Sequence, residues 1–191
     1  YIWECYEKLE NHSKALLNYR KATELDPFYA DAWAGMAIIS ELEDKDQSAV
    51  FYIKKALEIE NNNPEFWHIY GDFLAKKELI EEAIVSYYKV IDLDPENEEV
   101  WLDIAEVFKI NEGLEKGIFY IHEGLKKQPN NYSLYARLVA YLLQSGKIDH
   151  AIQNLTIVLT NNKGLLSEIV AYYPEINKHP RVINTIENFN L

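Results

Sequence analysis

The chain has 191 residues, of which 48% are hydrophobic, seven are Gly and six are Pro; such a composition supplies a core and favours helix over the frequent turns of a sandwich or barrel. Its formal charge of -12, from 31 acidic against 19 basic residues, repels phosphate backbones and anionic lipid, so nucleic acid is not an expected partner. One cysteine, Cys5, excludes an internal disulfide and a multi-cysteine zinc site, and no run of about 18 apolar residues is present to insert into a membrane. The absence of a basic-then-apolar leader makes the cytoplasm the provisional location, although the chain opens at Tyr1 inside a helical pattern, as if sequence precedes it.

From the N-terminus, residues 1–29 read as a partial hairpin whose second helix carries Ala15, Tyr19 and Ala22 on one stripe and stops at Leu25-Asp26-Pro27. Cys5, with Glu4 and Glu7 beside it, reads as a packing residue with a raised thiol pKa. Beyond it the same pattern returns without insertion or deletion. Trp33, Trp67, Trp101 and Tyr135 are separated by 34 residues each, as are the small residues Ala15, Ala49, Ala83, Gly117 and Ala151. Four residues after the small one come Tyr19, Ile53, Tyr87, Ile121 and Leu155, and three later Ala22, Ala56, Val90, Gly124 and Val158. Positions i, i+4 and i+7 make one apolar stripe along a helix. A second stripe, Trp67, Tyr70 and Leu74 with their equivalents, precedes it, so each unit is a helical hairpin. First helices are predicted near 31–43, 65–77, 99–111 and 132–145, with second helices between, in units starting near 30, 64, 98 and 132. Pro27, Pro95 and Pro129, with Asn61 at the equivalent place and Pro64 slightly later, end the second helices.

After Thr160 the period fails. Residues 1–163 therefore read as one array and residues 164–191 as a capping tail, with a short helix around Val182 to Asn188, because a terminal repeat cannot leave Leu155 and Leu159 in water.

The order Trp, Leu/Ile/Tyr, Gly/Ala, Ala, Tyr and Pro, together with Leu25-Asp26-Pro27 and Leu93-Asp94-Pro95, resembles the tetratricopeptide repeat over roughly residues 1–160. The tail is similar to those of uncharacterised bacterial members. The first unit departs from the pattern: Trp3 stands where later repeats have Ala37, Gly71, Ala105 and Val139. The resemblance implies an all-α, right-handed superhelical solenoid whose first helices line a concave groove for a peptide or protein. Carried over residue by residue, the groove positions are Asp31, Ala34, Ile38 and Glu41; Glu65, His68, Asp72 and Ala75; Glu99, Leu102, Glu106 and Lys109; Ser133, Ala136, Ala140 and Leu143. Asp103 and Arg137 lie beside them. The first two-thirds of this groove reads as acidic and the last third as apolar, which suits a basic partner with apolar residues. The family variant that grips a chaperone's terminal carboxylate uses Lys, Asn and Arg at particular groove positions; the groove here is mostly Ala, Asp, Glu and Leu, and Arg137 is the one basic residue at a position matching that variant, so the resemblance implies no such clamp.

No glycine-rich phosphate loop, HExxH, CxxC or GxSxG occurs. His12, His122, His150 and His179 are scattered and read as surface or packing residues. His68 with Asp72 at i+4, and Glu65 nearby, could be imagined as a metal or acid/base site, but one His among carboxylates reads better as a helix-surface pair. Asp103 and Glu106, at i and i+3, do not face each other as glycosidase carboxylates must. The triplets at Asn11, Asn131 and Asn154 carry no weight without secretion. No catalytic residue, cofactor or metal is therefore expected, and the chain reads as a protein-binding scaffold. Its alternative is a regulatory or localisation segment of a larger enzyme or signalling protein whose catalytic part lies upstream of Tyr1, and 14 Tyr with exposed repeat ends allow weak self-association.

Overall fold

A computed structural model describes residues 12–189; Trp3, Cys5 and Asn11 lie outside them. The regular structure of the described residues is entirely helical: α1 (His12–Leu25), α2 (Ala30–Leu42), α3 (Asp46–Ile59), α4 (Pro64–Lys76), α5 (Ile80–Leu93), α6 (Val100–Glu112), α7 (Leu114–Lys127), α8 (Tyr132–Gln144), α9 (Ile148–Asn161), α10 (Leu166–Tyr172) and α11 (Pro180–Glu187), with 3-10 turns at Lys163–Leu165 and Pro174–Lys178. Two compact units divide the chain, residues 1–97 and 98–191.

In the first unit α2 pairs with α3 and α4 with α5. Ala30, Ala34 and Ala37 of α2 meet Ala49, Ile53 and Ala56 of α3 and Phe66 and Phe73 of α4 in one core, while Ala15 and Tyr19 of α1 pack with Ala32, Met36 and Ile39. Polar side chains set where the helices begin and end. Asp26 Oδ1 accepts the Phe28 N–H at 2.9 Å and Asp94 Oδ1 the Glu96 N–H at 3.3 Å, turning the chain after α1 and α5. Asn63 caps α4 by accepting the Glu65 N–H at 3.0 Å, with Pro64 in the first turn. The tryptophan ladder has a polar purpose as well as bulk: the Trp33 indole N–H donates to the Pro27 carbonyl at 2.9 Å and that of Trp67 to the Asn61 carbonyl at 2.8 Å. Each indole thus ties a first helix to the loop that precedes it.

In the second unit α6 pairs with α7 and α8 with α9, around fully buried Ile104, Ile121, Leu134, Leu138, Leu155 and Leu159. A single residue, Gly113, joins α6 to α7 at φ 98° and ψ 169°, a conformation that only glycine adopts without strain. Asn131 is 3% exposed; its Oδ1 accepts the Leu134 N–H at 3.0 Å, and its Nδ2 donates to the Glu98 carbonyl at 3.0 Å and to Gln128 Oε1 at 2.8 Å. The tail belongs to this unit. Its last helix, α11, packs on α9 with Val182 fully buried and Ile186 nearly so, and Arg181 Nη2 reaches Asp149 Oδ1 at 2.6 Å.

Gly124 shows where repeat pattern and packing disagree. Its column otherwise holds Ala22, Ala56, Val90 and Val158, yet a Cβ added at Gly124 would lie 2.9 Å from Trp101 Cγ and 3.0 Å from Leu134 Cδ1. Gly124→Ala would regain about 1 kcal/mol of helix propensity against an overpacking cost of about 1–3 kcal/mol. The expected outcome is a net loss of about 1 kcal/mol, read as a lower urea midpoint at unchanged slope.

Candidate functional site

The first-helix side of the first unit is open. Asp31, Glu65 and Asp72 are exposed, Ile38, Glu41, His68 and Ala75 are half-buried, and Ala34 is buried in the core beneath. Between α2 and α4 lies a pocket of about 340 Å³ lined by Ile38, Glu41, Ile69, Asp72, Phe73 and Lys76. Three apolar side chains form its walls and two carboxylates its polar part. Lys76 Nζ sits 2.5 Å from Glu41 Oε1, and that hydrogen bond holds the Lys76 ammonium above its usual range.

The His68–Asp72 pair is positioned from a different helix. Tyr87, fully buried on α5, donates its hydroxyl to Asp72 Oδ1 at 2.9 Å, and its ring stands edge-on to His68; His68 Nε2 is 4.0 Å from the same oxygen. Tyr87 appears in the sequence only as one member of an apolar column. Its hydroxyl role is invisible to periodicity, as are Ile69, Phe73 and Lys76, which face the pocket only because α2 lies alongside α4.

In the second unit Glu99 is exposed, and Leu102, Asp103, Glu106 and Lys109 are half-buried. Glu106 is the hub of a network. Its Oε2 accepts the Tyr141 hydroxyl at 2.5 Å and Arg137 Nη1 at 3.1 Å, and Lys109 Nζ lies 2.5 Å from Oε1. Burial works to raise the Glu106 pKa, but the bonds from Lys109 and Tyr141 and the charges of Lys109 and Arg137 prevail and hold it below the ordinary carboxylate range. Burial pushes the Tyr141 hydroxyl up, and its bond to Glu106 adds to the rise. A carboxylate held ionised in this way is a poor proton donor, and Asp103 beside it is half-buried.

The apolar last third, expected from sequence as open groove, is closed. Ala136, Arg137, Ala140 and Leu143 are 1%, 7%, 0% and 2% exposed, and only Ser133 remains half-buried. Helix α10 packs on α8, the Tyr172 ring stacks on the Arg137 guanidinium at 3.5 Å, and Gln144 Nε2 donates to the Tyr172 carbonyl at 3.1 Å. The cause is the residue pattern itself: small and apolar side chains on an unpartnered helix face draw the tail down.

Four other candidates have local surroundings that account for them. Burial lowers the His122 pKa, His179 Nε2 lies 2.8 Å from the Tyr173 hydroxyl, Asn131 is a buried cap, and Asn154 Nδ2 donates to the His150 carbonyl within α9.

Comparison with known proteins agrees with this architecture. The tetratricopeptide repeat family model matches residues 4–29 and 64–97. Type IV pilus assembly protein PilF of Pseudomonas aeruginosa is 35% identical over 78 residues, which are 41% of this chain and 31% of that protein; the match spans about a third of the relative's length. Among solved structures, that of Pseudomonas aeruginosa PilF has a TM-score of 0.66 at 20% identity, covering 99% of this chain and 93% of the other. MamA from Desulfovibrio magneticus RS-1 has a TM-score of 0.66 at 17% identity, covering 85% and 92%, and a further MamA structure has 0.63 at 14%, covering 94% and 92%. These structural likenesses establish the fold. The chain carries tetratricopeptide repeats in the segments that the family model matches. No helix of the described residues is long and apolar enough to cross a membrane.

The depressed pKa of Glu106 makes its network acid-sensitive. Its contribution is fully present above the unfolded carboxylate pKa of about 4.3 and is lost as pH falls through the lower folded value. Glu106→Gln should cost about 1–3 kcal/mol at pH 7, less than a fully buried pair because the carboxylate is a third exposed. Urea titrations at pH 7 and pH 3 should show the gap between wild type and variant narrowing at the lower pH.

Proposed function

We propose that the chain is a protein-interaction scaffold with no catalytic step of its own, which holds a partner segment along the first-helix side of its first unit. The observation that carries this reading is the pocket between α2 and α4. Ile38, Ile69 and Phe73 offer apolar wall to the stem of a lysine or arginine, and Glu41 and Asp72 stand where its charged head would arrive. An incoming cation has to compete with Lys76 for Glu41, but Lys76 is more than half exposed and such exposed pairs are worth only about 0–1 kcal/mol.

The partner this favours carries one basic residue flanked by apolar ones. PilF is named for pilus assembly; what we infer for this chain is the more general task of holding another polypeptide. Asp31 and Glu65, exposed on the same two helices, extend the negative field that would draw such a segment in.

Selection of displayed peptides on the wild-type chain should enrich Lys or Arg next to apolar residues. For the best peptide, the double variant Glu41→Gln, Asp72→Asn should weaken binding about tenfold at low salt, and added salt should weaken wild type more than variant. Both substitutions keep volume, and the amide oxygen introduced at position 72 would still accept the Tyr87 hydroxyl. Equal affinity of the two proteins would overturn the acidic-pocket reading.

A further inference from the structure

We propose that α10 is a displaceable plug on the first-helix face of the last hairpin, and that the face beneath it receives a short amphipathic segment whose aromatic residue takes the place of Tyr172 on Arg137. Within each unit, a first helix meets the preceding described hairpin mainly through that hairpin's second helix: α4 on α3 in the first unit, α8 on α7 in the second. Helix α10 does the opposite and packs mainly on the first helix α8. It is therefore not the start of another repeat; it lies where groove residues are presented.

Capping does not require it there. The exposed side of α9 is covered by α11 through Val182 and Ile186 and tied by Arg181 to Asp149. Lys163 Nζ donates to the Phe189 carbonyl at 2.6 Å, closing the tail on itself at the other end. Between these two anchors α10 has only seven residues, of which Ser167, Glu168, Val170, Ala171 and Tyr172 are exposed as residues.

What holds α10 down is a short motif that a partner can reproduce. Leu165 is 8% exposed and Ile169 fully buried, and three residues later Tyr172 lays its ring on Arg137. The receiving surface is Ala136, Ala140 and Leu143 with the guanidinium at its centre. Arg137 is 7% exposed and its Nε has no hydrogen-bond partner. Arg137 shares the single carboxylate of Glu106 with Lys109, so two cations face one anion and the excess positive charge favours an aromatic face on the guanidinium. An apolar residue followed at i+3 by Tyr, Trp or Phe on a helix matches this surface as the tail does.

This rests on the reading that first-helix faces receive partners, and its test does not use the acidic pocket. Arg20, Arg137 and Arg181 are the arginines of the chain, so phenylglyoxal modification mapped by mass spectrometry reads Arg137 against two internal references. In the full wild-type chain Arg137 should react about tenfold more slowly than Arg20; Tyr172→Ala should remove most of that protection, and Tyr172→Phe should keep it. A synthetic peptide of residues 163–176 added to Tyr172→Ala should restore protection, and the same peptide carrying Tyr172→Ala should not. Fast reaction of Arg137 in wild type, continued protection in Tyr172→Ala, or equal rescue by both peptides would overturn the proposal. If Tyr172→Ala loses its helical circular dichroism, Gln144→Ala decides: a faster Arg137 in that folded variant supports the plug, and an unchanged one rejects it. Loss of peptide selectivity at Glu41 and Asp72 with intact Arg137 protection would remove the acidic-pocket reading alone.

Discussion

The described hairpins all depend on one close approach, that of their two helices at the small-residue position of the second helix. Ala49, Ala83 and Ala151 are 0–1% exposed, and at the same position a Cβ on Gly117 would stand 3.0 Å from the Ala105 carbonyl oxygen. With a larger side chain at these points the helices would separate, and the apolar stripes around them would lose the dispersion contacts that packed interiors rely on. Because the constraint recurs every 34 residues, each described hairpin can, within its unit, pass its apolar side to the next.

Packing alone would leave the hairpins free to slide, and a second, polar set of contacts fixes them. The indoles of Trp33 and Trp67 hold the carbonyls of Pro27 and Asn61, Asn63 and Asn131 cap first helices, and Asn131 also holds the Glu98 carbonyl. Each such bond is worth only about 0.5–1.5 kcal/mol net, but each satisfies a group at a helix end that burial would otherwise leave unpaired. Tyr87 and Tyr141 extend the device to the groove side, where their hydroxyls orient Asp72 and Glu106. The same kind of bond has different consequences: Asp72 stays exposed beside an open pocket, whereas Glu106 is drawn into a network with two cations.

The repeat unit, the hairpin and the helix boundaries within a residue or two are readable from the sequence, since they follow from local spacing and from Pro and Asp at fixed places. The acidic side chains on the first helices are readable too. Less readable is which of them are available. Glu106 looks equivalent to Asp72 by register, yet Arg137, which sits 31 residues later, converts it into a structural ion pair. Ala136, Ala140 and Leu143 read as groove because small apolar residues look alike whether they await a partner or already have one.

The sequence by itself determined the all-helical tetratricopeptide architecture, because a strict 34-residue period with small, aromatic and proline columns leaves few other ways to bury the apolar stripes. Tertiary structure alone decided the site. Lys76 meets Glu41 across 35 residues and Gln144 meets the Tyr172 carbonyl across 28, and neither pairing leaves a trace in local periodicity. The fold of the tail is the sharpest case: its apolar residues announce that it must cover something, but whether α10 covers the second helix or the first is set by shape complementarity between side chains far apart in sequence, which no repeat pattern records.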